Sequence, residues 1–179
     1  RRYGLPLRAS NANAANYPDA QAAWESSNSL FGATSAQASI VFHAAGWLEG
    51  GLTASLEKFV LDCELLQQWT YYHSNPVGTS DDDLALDAIR EVGPHGHFLG
   101  AEHTQQRYQT AFYAPFLSDW RNYEAWEEAG AVKAHERARD IWKQLLAEFE
   151  APPMDEAIRE ELEAFVAKRK EEGGAPTDF

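Results

Sequence analysis

Two short segments carry the side chains best suited to chemistry in this chain of 179 residues. Asn11–Pro18 is rich in Asn and Ala, so it offers amide groups that both donate and accept hydrogen bonds. His43–Gly51 supplies an imidazole, an indole and several glycines. Histidine exchanges protons near neutral pH, and the face of an aromatic ring attracts a cation. These residue types indicate a site for a small polar or cationic molecule.

Glycine recurs in the second segment, at Gly46, Gly50 and Gly51. Glycine adopts left-handed backbone angles and lets a large ligand approach the main chain closely. The segment is not a phosphate-binding loop, because it lacks the Lys-Ser/Thr pair and the G-x-G-x-x-G spacing. Two interpretations stay open: contact with a ligand, or a tight turn that only begins a helix.

Each candidate side chain has a plainer alternative role. His43 ends an apolar run, where a hydrogen-bonded core histidine is common, but the carboxyl end of a strand favours function. Most of the six tryptophans are expected in the core, and Trp47 is the best candidate for a quaternary ammonium cage. His95, His97 and His103 are spaced loosely for zinc, so we favour loop histidines bonded to backbone and predict no metal site.

The surrounding pattern predicts elements that would bring the two segments together. Strand-like and helix-like stretches alternate in the order Leu5–Ser10, Ala20–Phe31, Ala38–Ala45 and Leu56–Tyr72, with Gly32 ending the first helix. Such alternation predicts an α/β fold with a parallel sheet and crossover helices, and the second strand reads as buried on both faces. Asn11–Pro18 and His43–Gly51 would then lie at the same edge of the sheet.

The rest of the chain reads as helical. Helices are predicted over residues 81–92, 104–112, 122–129, 131–149 and 155–170, followed by a frayed tail over 171–179. We expect two regions, a β/α region over residues 1–118 and a helical extension over residues 119–179.

Composition narrows the classes of function. The net charge of −13 disfavours nucleic acid and anionic membranes as partners. No apolar run reaches the roughly 18–20 residues of a membrane span, and no signal-peptide pattern is evident. A single cysteine, Cys63, excludes an internal disulfide and fits a reducing compartment. A soluble, cytoplasmic protein is expected.

Several segments in order resemble the C-terminal third of the trimethylamine methyltransferase family. They are Tyr17-Pro-Asp-Ala-Gln-Ala-Ala, Gly46-Trp-Leu-Glu-Gly-Gly-Leu-Thr-Ala-Ser-Leu-Glu-Lys-Phe-Val-Leu-Asp, Glu91-Val-Gly-Pro-His-Gly-His-Phe-Leu-Gly, His103-Thr, and a Trp-x-x-x-Gly and Arg-Ala helix before Pro152-Pro153. Each piece is weak by itself, but the ordered set is specific and spans nearly the whole chain. His95 departs from the family pattern, because glycine is expected at this position in most relatives.

The resemblance implies the C-terminal part of a TIM-type (β/α)8 barrel followed by extra C-terminal helices. A whole barrel takes about 250 residues, so this chain would supply only its last units. The implied activity moves a methyl group from a methylated or quaternary amine to the cobalt of a corrinoid carried by a partner protein, with no tightly bound cofactor. A homo-oligomer is also expected. The alternative is a truncated, non-catalytic barrel fragment that binds a corrinoid protein or scaffolds an assembly.

Roles for individual residues follow from the resemblance. Tyr17 falls where the trimethylamine enzymes carry pyrrolysine, which points to the branch without pyrrolysine and to a glycine betaine-like substrate. The expected catalytic residues are Tyr17 and His43. The expected substrate-binding residues are Asn11, Asn16, Trp47 and Glu49. The expected corrinoid-contacting residues are Gly46, Gly50, Gly51, His97 and Phe98.

Overall fold

The structure, a computed structural model, describes residues 2–76 and 78–173. Residues 174–179 of the predicted tail lie outside the described part. Four short strands are present, β1 (Arg8–Ser10), β2 (Ile40–Phe42), β3 (Trp47–Leu48) and β4 (Thr53–Ala54). Helices occupy most of the remaining chain: α1 (Ala20–Ser35), α2 (Leu56–Ser74), α3 (Leu86–Val92), α4 (Glu102–Arg107), α5 (Tyr123–Glu128), α6 (Ala134–Ala147) and α7 (Glu156–Glu171). The protein is therefore mixed α/β with mostly helices and few strands.

The predicted parallel pairing is confirmed. Strand β1 pairs with β2 in parallel, in the register Arg8–Ile40 and Ser10–Phe42, and α1 crosses between them. Asp19 begins α1 by accepting hydrogen bonds from the N–H groups of its first turn. Because β1 and β2 are parallel, the segments that follow them both leave the sheet at the same edge, which is the carboxyl edge.

The prediction that the second strand is buried on both faces is wrong for this chain. Ile40 is 50 % exposed and Phe42 is 46 % exposed, and the guanidinium of Arg8 lies 4.9 Å from the centre of the Phe42 ring. Among the described residues this sheet has two strands, and Val41 between the two exposed residues is partly buried.

Several element boundaries differ from the sequence pattern for local reasons. Helix α1 continues through Gly32 to Ser35, since glycine inside a helix costs only about 1 kcal/mol. Helix α3 starts five residues later than predicted, after a turn, because Ala85 has a φ of 54°. The glycine-rich segment also contains a hairpin that the sequence did not indicate, in which Trp47 pairs with Ala54 and Leu48 with Thr53.

Helix α2 buries three charged residues beside one apolar residue. The buried positions are Lys58, Val60, Asp62 and Glu64, whereas the apolar residues Leu56 and Phe59 are about half exposed. Charges are rarely buried unless they are paired and hydrogen-bonded. The environment of α2 must therefore satisfy each of these groups.

Glu64 attaches the segment after α4 to α2. Its carboxylate accepts hydrogen bonds from the N–H of Leu117 at 2.5 Å, from the N–H of Ser118 at 3.0 Å and from the Ser118 hydroxyl. Leu117 packs beside this contact in a buried cluster with Val60 and Ala138 of α6. The carboxylate thus aligns α6 on α2.

The chain divides into two compact units, Arg1–Gln144 and Leu145–Phe179. The first holds the strands, helices α1 to α5 and most of α6. The second holds the end of α6 and the whole of α7, which Asp155 caps by accepting from the Ala157 and Ile158 N–H groups. The predicted regions 1–118 and 119–179 stay a prediction.

Within residues 2–76 and 78–173, no helix combines the length and the apolar character needed to cross a bilayer.

Replacing the Glu64 carboxylate tests its structural role. In Glu64→Gln, one acceptor oxygen becomes an NH2 group that faces the N–H donors of residues 117 and 118. We expect the free energy of unfolding in urea to fall by about 2 kcal/mol, because buried donors lose their acceptor. The matched control is Glu91→Gln, an exposed carboxylate. Equal stability of the two variants would contradict the assigned role.

Candidate functional site

A cavity of about 300 Å³ lies at the carboxyl edge of the β1–β2 pair. It is lined by residues of the two segments that follow these strands: Ser10, Asn11, Ala12, Asn13, His43, Trp47, Gly50 and Gly51. The structure therefore brings the two segments together at one edge of the sheet, as the strand–helix alternation predicts. Five of the predicted site residues line this cavity, namely Asn11, His43, Trp47, Gly50 and Gly51.

Direct backbone contacts join the two segments. The N–H of Gly50 donates to the Asn13 carbonyl at 2.7 Å, and the N–H of Glu49 donates to the Ala15 carbonyl at 2.9 Å. Below them, Ala15 packs with Ala22 and Leu48 in a buried apolar cluster. The walls of the cavity are thus fixed to each other as well as to the sheet.

The segment after β2 has an unusual backbone. Positive φ values occur at five of its nine positions, His43, Gly46, Glu49, Gly50 and Gly51. Two of these are not glycine, and non-glycine residues adopt this region at a cost of roughly 1 kcal/mol each. The His43 ring packs edge-on against the Trp47 indole, with 5.1 Å between ring centres. Strained conformations of this kind cluster at binding and catalytic sites.

Two buried asparagines shape the segment after β1. Asn11 donates its amide to the Ala44 carbonyl at 3.0 Å. Asn13 donates both amide hydrogens, to the Ala22 carbonyl and to the Ser26 hydroxyl, each at 2.9 Å. Because these partners accept, they fix which side of each amide is nitrogen. The side-chain oxygens of both asparagines are buried and have no hydrogen-bond partner in the described part of the chain.

An ion pair lies beneath the cavity. The Lys58 ammonium is 2.5 Å from Asp62, and both side chains are almost fully buried. The same ammonium donates to the Ser26 hydroxyl at 2.7 Å, and the Asp62 carboxylate accepts from the Gly46 N–H at 2.9 Å. Lys58 and Asp62 therefore contact groups from both segments, through Ser26 on one side and Gly46 on the other.

Glu25 of α1, which does not line the cavity, is bonded to the backbone of the segment after β1. Its carboxylate accepts from the N–H groups of Ala14 at 2.7 Å and Ala15 at 2.9 Å, and from the Gln21 side chain at 2.9 Å. The Gln21 hydrogen bond and then the backbone bonds keep the pKa of Glu25 below its usual value, with a smaller contribution from the Lys58 charge. The charged carboxylate of Glu25 thus holds the backbone of residues 14 and 15 against α1.

Other predicted site residues do not line the cavity. Tyr17 is 56 % exposed, and its ring lies edge-on to His135 with 5.8 Å between ring centres. Asn16 is exposed, and the exposed Glu49 side chain accepts from the Thr53 hydroxyl.

His97 and Phe98 are exposed residues at the start of a short 3-10 turn, Phe98–Gly100. They do not belong to the cavity lining. Their predicted contact with a corrin, like the predicted roles of Tyr17, Asn16 and Glu49, stays a prediction.

The surroundings of the histidines considered for zinc can be described in part. Residues 2–76 and 78–173 contain no group of three or more His, Cys, Asp or Glu side chains placed to hold a metal. The ring of His103 instead contacts the backbone carbonyl of Asp82 at 2.9 Å. This agrees with the favoured interpretation of a loop histidine bonded to backbone.

Sequence reasoning missed the most buried groups around the site, namely Asn13, Ser26, Lys58 and Asp62. Asn13 lies inside the Asn11–Pro18 segment, which the sequence indicates only as a whole. Lys58 and Asp62 follow each other at i,i+4 on α2, which is the spacing of a helical ion pair, but surface pairs share that spacing. Only burial distinguishes them, and burial is a property of the assembled structure.

The cavity lies at the carboxyl edge of parallel strands, beside a strained glycine-rich segment, which is the usual place of small-molecule sites in α/β proteins. Residues 1–174 match the family model described as trimethylamine methyltransferase (MTTB). This chain belongs to that family.

The curated relatives are methyltransferases for two amines. The glycine betaine methyltransferase of Desulfitobacterium hafniense (strain Y51) is 36% identical over 173 residues, which are 96% of this chain and 36% of that protein. The trimethylamine methyltransferase MttB1 of Methanosarcina mazei is 31% identical over 173 residues, 93% of this chain and 33% of that protein. The chain thus spans about a third of the length of the relatives that it matches.

Low pH should weaken the hydrogen bonds that the Glu25 carboxylate accepts from residues 14 and 15. Because the pKa of Glu25 is lower in the folded protein than its usual 4.5, its stabilising effect is present above pH 4.5 and is lost as the pH falls through the folded value. Glu25→Gln should therefore lower the thermal midpoint at pH 7 and lose this difference from the native chain in acid. Glu128→Gln, an exposed carboxylate, serves as control. A difference that persists unchanged in acid would contradict this effect.

Two glycines of the same segment separate backbone strain from crowding. Both have positive φ, but a Cβ at residue 46 would lie 3.2 Å from the Phe59 Cβ, whereas a Cβ at residue 50 meets nothing within 4 Å. Gly50→Ala should lower the free energy of unfolding by about 1 kcal/mol through φ alone. Gly46→Ala should cost more, as measured in urea. A smaller loss for Gly46→Ala would argue against the tight contact with Phe59.

Proposed function

We propose that this chain forms part of a corrinoid-dependent methyltransferase that removes a methyl group from a quaternary amine resembling glycine betaine. The observation that carries the proposal is the cavity at the carboxyl edge of the β1–β2 pair, in a chain of the trimethylamine methyltransferase family. The name of the Desulfitobacterium relative and the presence of Tyr17, where pyrrolysine is expected in the trimethylamine branch, support a quaternary rather than a tertiary amine.

The reaction requires the protein to position the substrate rather than to act as an acid or a base. A quaternary nitrogen already carries the charge that makes the amine a leaving group, so no proton has to be supplied before the methyl group leaves. The nucleophile is cobalt(I) in a corrinoid carried by the partner protein. What this chain contributes is a fixed orientation of the methyl group and favourable surroundings for the cation.

Trp47 and His43 are the side chains best placed for the cation. Trp47 is half-buried, lines the cavity and is held edge-on by the His43 ring. A tryptophan face attracts an ammonium by about 0.5–2 kcal/mol. Asn11 keeps one amide hydrogen beyond its bond to Ala44, so it can donate to the carboxylate of a betaine-like substrate.

The glycine rim of the cavity fits the approach of a broad flat molecule. Gly50 and Gly51 line the cavity without side chains, and a Cβ at Gly50 would meet nothing within 4 Å. We propose that the corrin ring approaches over these two residues. Gly46, the third glycine expected to contact the corrinoid, is buried, does not line the cavity and donates its N–H to Asp62, so its contact with a corrin stays a prediction.

The fold proposed for the whole protein is the (β/α)8 barrel, of which this chain supplies last units and C-terminal helices. The parallel β–α–β unit with its site at the carboxyl edge supports this proposal. The homo-oligomer and the corrinoid protein partner belong to the same proposal.

Methyl transfer from glycine betaine to cob(I)alamin, followed by the absorbance of methylcobalamin, tests the proposed activity. We expect Trp47→Leu to raise the KM for glycine betaine about tenfold, because the cation loses its aromatic face. Trp24→Leu is the matched control, since Trp24 is exposed on α1 and does not line the cavity. Failure to demethylate any quaternary amine would contradict the proposal, and equal KM values for the two variants would exclude Trp47 from the site.

A further inference from the structure

The cavity is bounded by two segments that are far apart in sequence, and both are anchored to one buried ion pair. The Lys58 ammonium and the Asp62 carboxylate are 2.5 Å apart, with side-chain exposures of 2% and 3%. Neither side chain lines the cavity. Each side chain makes one further hydrogen bond. The bond of Lys58 reaches the segment after β1, and the bond of Asp62 reaches the segment after β2.

One path leads from Lys58 to the segment after β1. Its ammonium donates to the Ser26 hydroxyl at 2.7 Å, and that oxygen also accepts from the Asn13 amide at 2.9 Å. Ser26 is fully buried, and Asn13 lines the cavity. One of the two amide hydrogens of Asn13 is therefore linked to the ammonium through a single hydroxyl, and the other donates to the Ala22 carbonyl.

The other path leads from Asp62 to the segment after β2. Its carboxylate accepts from the Gly46 N–H at 2.9 Å, one residue before Trp47. The Gly46 carbonyl accepts from the Ser55 N–H, so both polar groups of this glycine are tied to the region where α2 begins. With φ of 87°, Gly46 sets the direction in which Trp47 enters the cavity wall.

An ion pair at this depth is not needed for stability alone. Desolvation of two charges offsets most of their attraction, and apolar residues of similar volume often replace such a pair with no loss of stability. An apolar pair, however, cannot accept from the Gly46 N–H or donate to Ser26.

We propose that Lys58 and Asp62 are positioning residues that hold Asn13 and Trp47 in register across the cavity. Loss of the pair would loosen the Asn13 side chain and the Gly46 N–H, while the backbone bonds between the two segments and the packing of the helix remain. The inference rests on the proposed function only in taking the cavity as the place where a quaternary ammonium binds.

The decisive variant is Lys58→Met with Asp62→Leu, which removes both charges and fills their places with apolar side chains. We expect a urea midpoint equal to or above that of either single substitution. We also expect amide exchange at Gly46 to be at least tenfold faster by NMR, and the Kd for tetramethylammonium, measured by calorimetry, to rise at least tenfold. The control is Arg90→Met with Asp87→Leu, because that ion pair is exposed.

Ser26→Ala supplies a milder test that keeps the ion pair. It should weaken tetramethylammonium binding severalfold and shift the Asn13 side-chain amide resonance, while amide exchange at Gly46 stays unchanged. Ser27→Ala, the neighbouring residue on α1, should alter neither.

Two results would overturn the proposal. One is a folded Lys58→Met/Asp62→Leu protein that keeps its Gly46 exchange rate and its Kd within twofold of the native chain. The other is a Ser26→Ala protein whose Kd and Asn13 resonance do not change. Absence of tetramethylammonium binding by the native chain would contradict the proposed function instead, and the exchange and resonance measurements would still decide the positioning role.

Discussion

The buried pair of Lys58 and Asp62 is the constraint on which the rest of the site depends. Two charges removed from water must be compensated in full, and here the compensation comes from Ser26 and from the N–H of Gly46. The same bonds that satisfy the charges fix the two segments after the parallel strands. Helix α2 is therefore the support of the cavity, although none of its side chains lines it.

Above this support, the site combines strain with incomplete hydrogen bonding. His43 and Glu49 hold left-handed backbone angles, and the oxygens of Asn11 and Asn13 have no partner within the described residues. Each of these features costs free energy, of the order of 1 kcal/mol or more. Their concentration around a single cavity agrees with a site selected for binding rather than for stability alone, in a protein of the trimethylamine methyltransferase family.

Much of the β–α–β unit was predictable because its signals are local. Asp19 caps α1 through its own side chain, and Ser55 begins α2 in the same way. The alternation of strand and helix placed Asn11 and His43 at one edge of the sheet. The order of the segments from Tyr17 to Pro153 was specific enough to indicate the family. Local signals failed at the β3–β4 hairpin, whose two-residue strands are too short to show a period.

The sequence by itself determined most of the element types, the parallel pairing, the family and most of the cavity lining, because caps, periodicity and chain order depend on neighbouring residues. Tertiary structure alone decided which face of α2 is buried and that Lys58, Asp62 and Glu64 lie on it. It also decided that Tyr17 lies beside His135 rather than in the cavity. The physical reason is that a buried charge is stable only where distant groups meet it, and sequence spacing does not specify those groups.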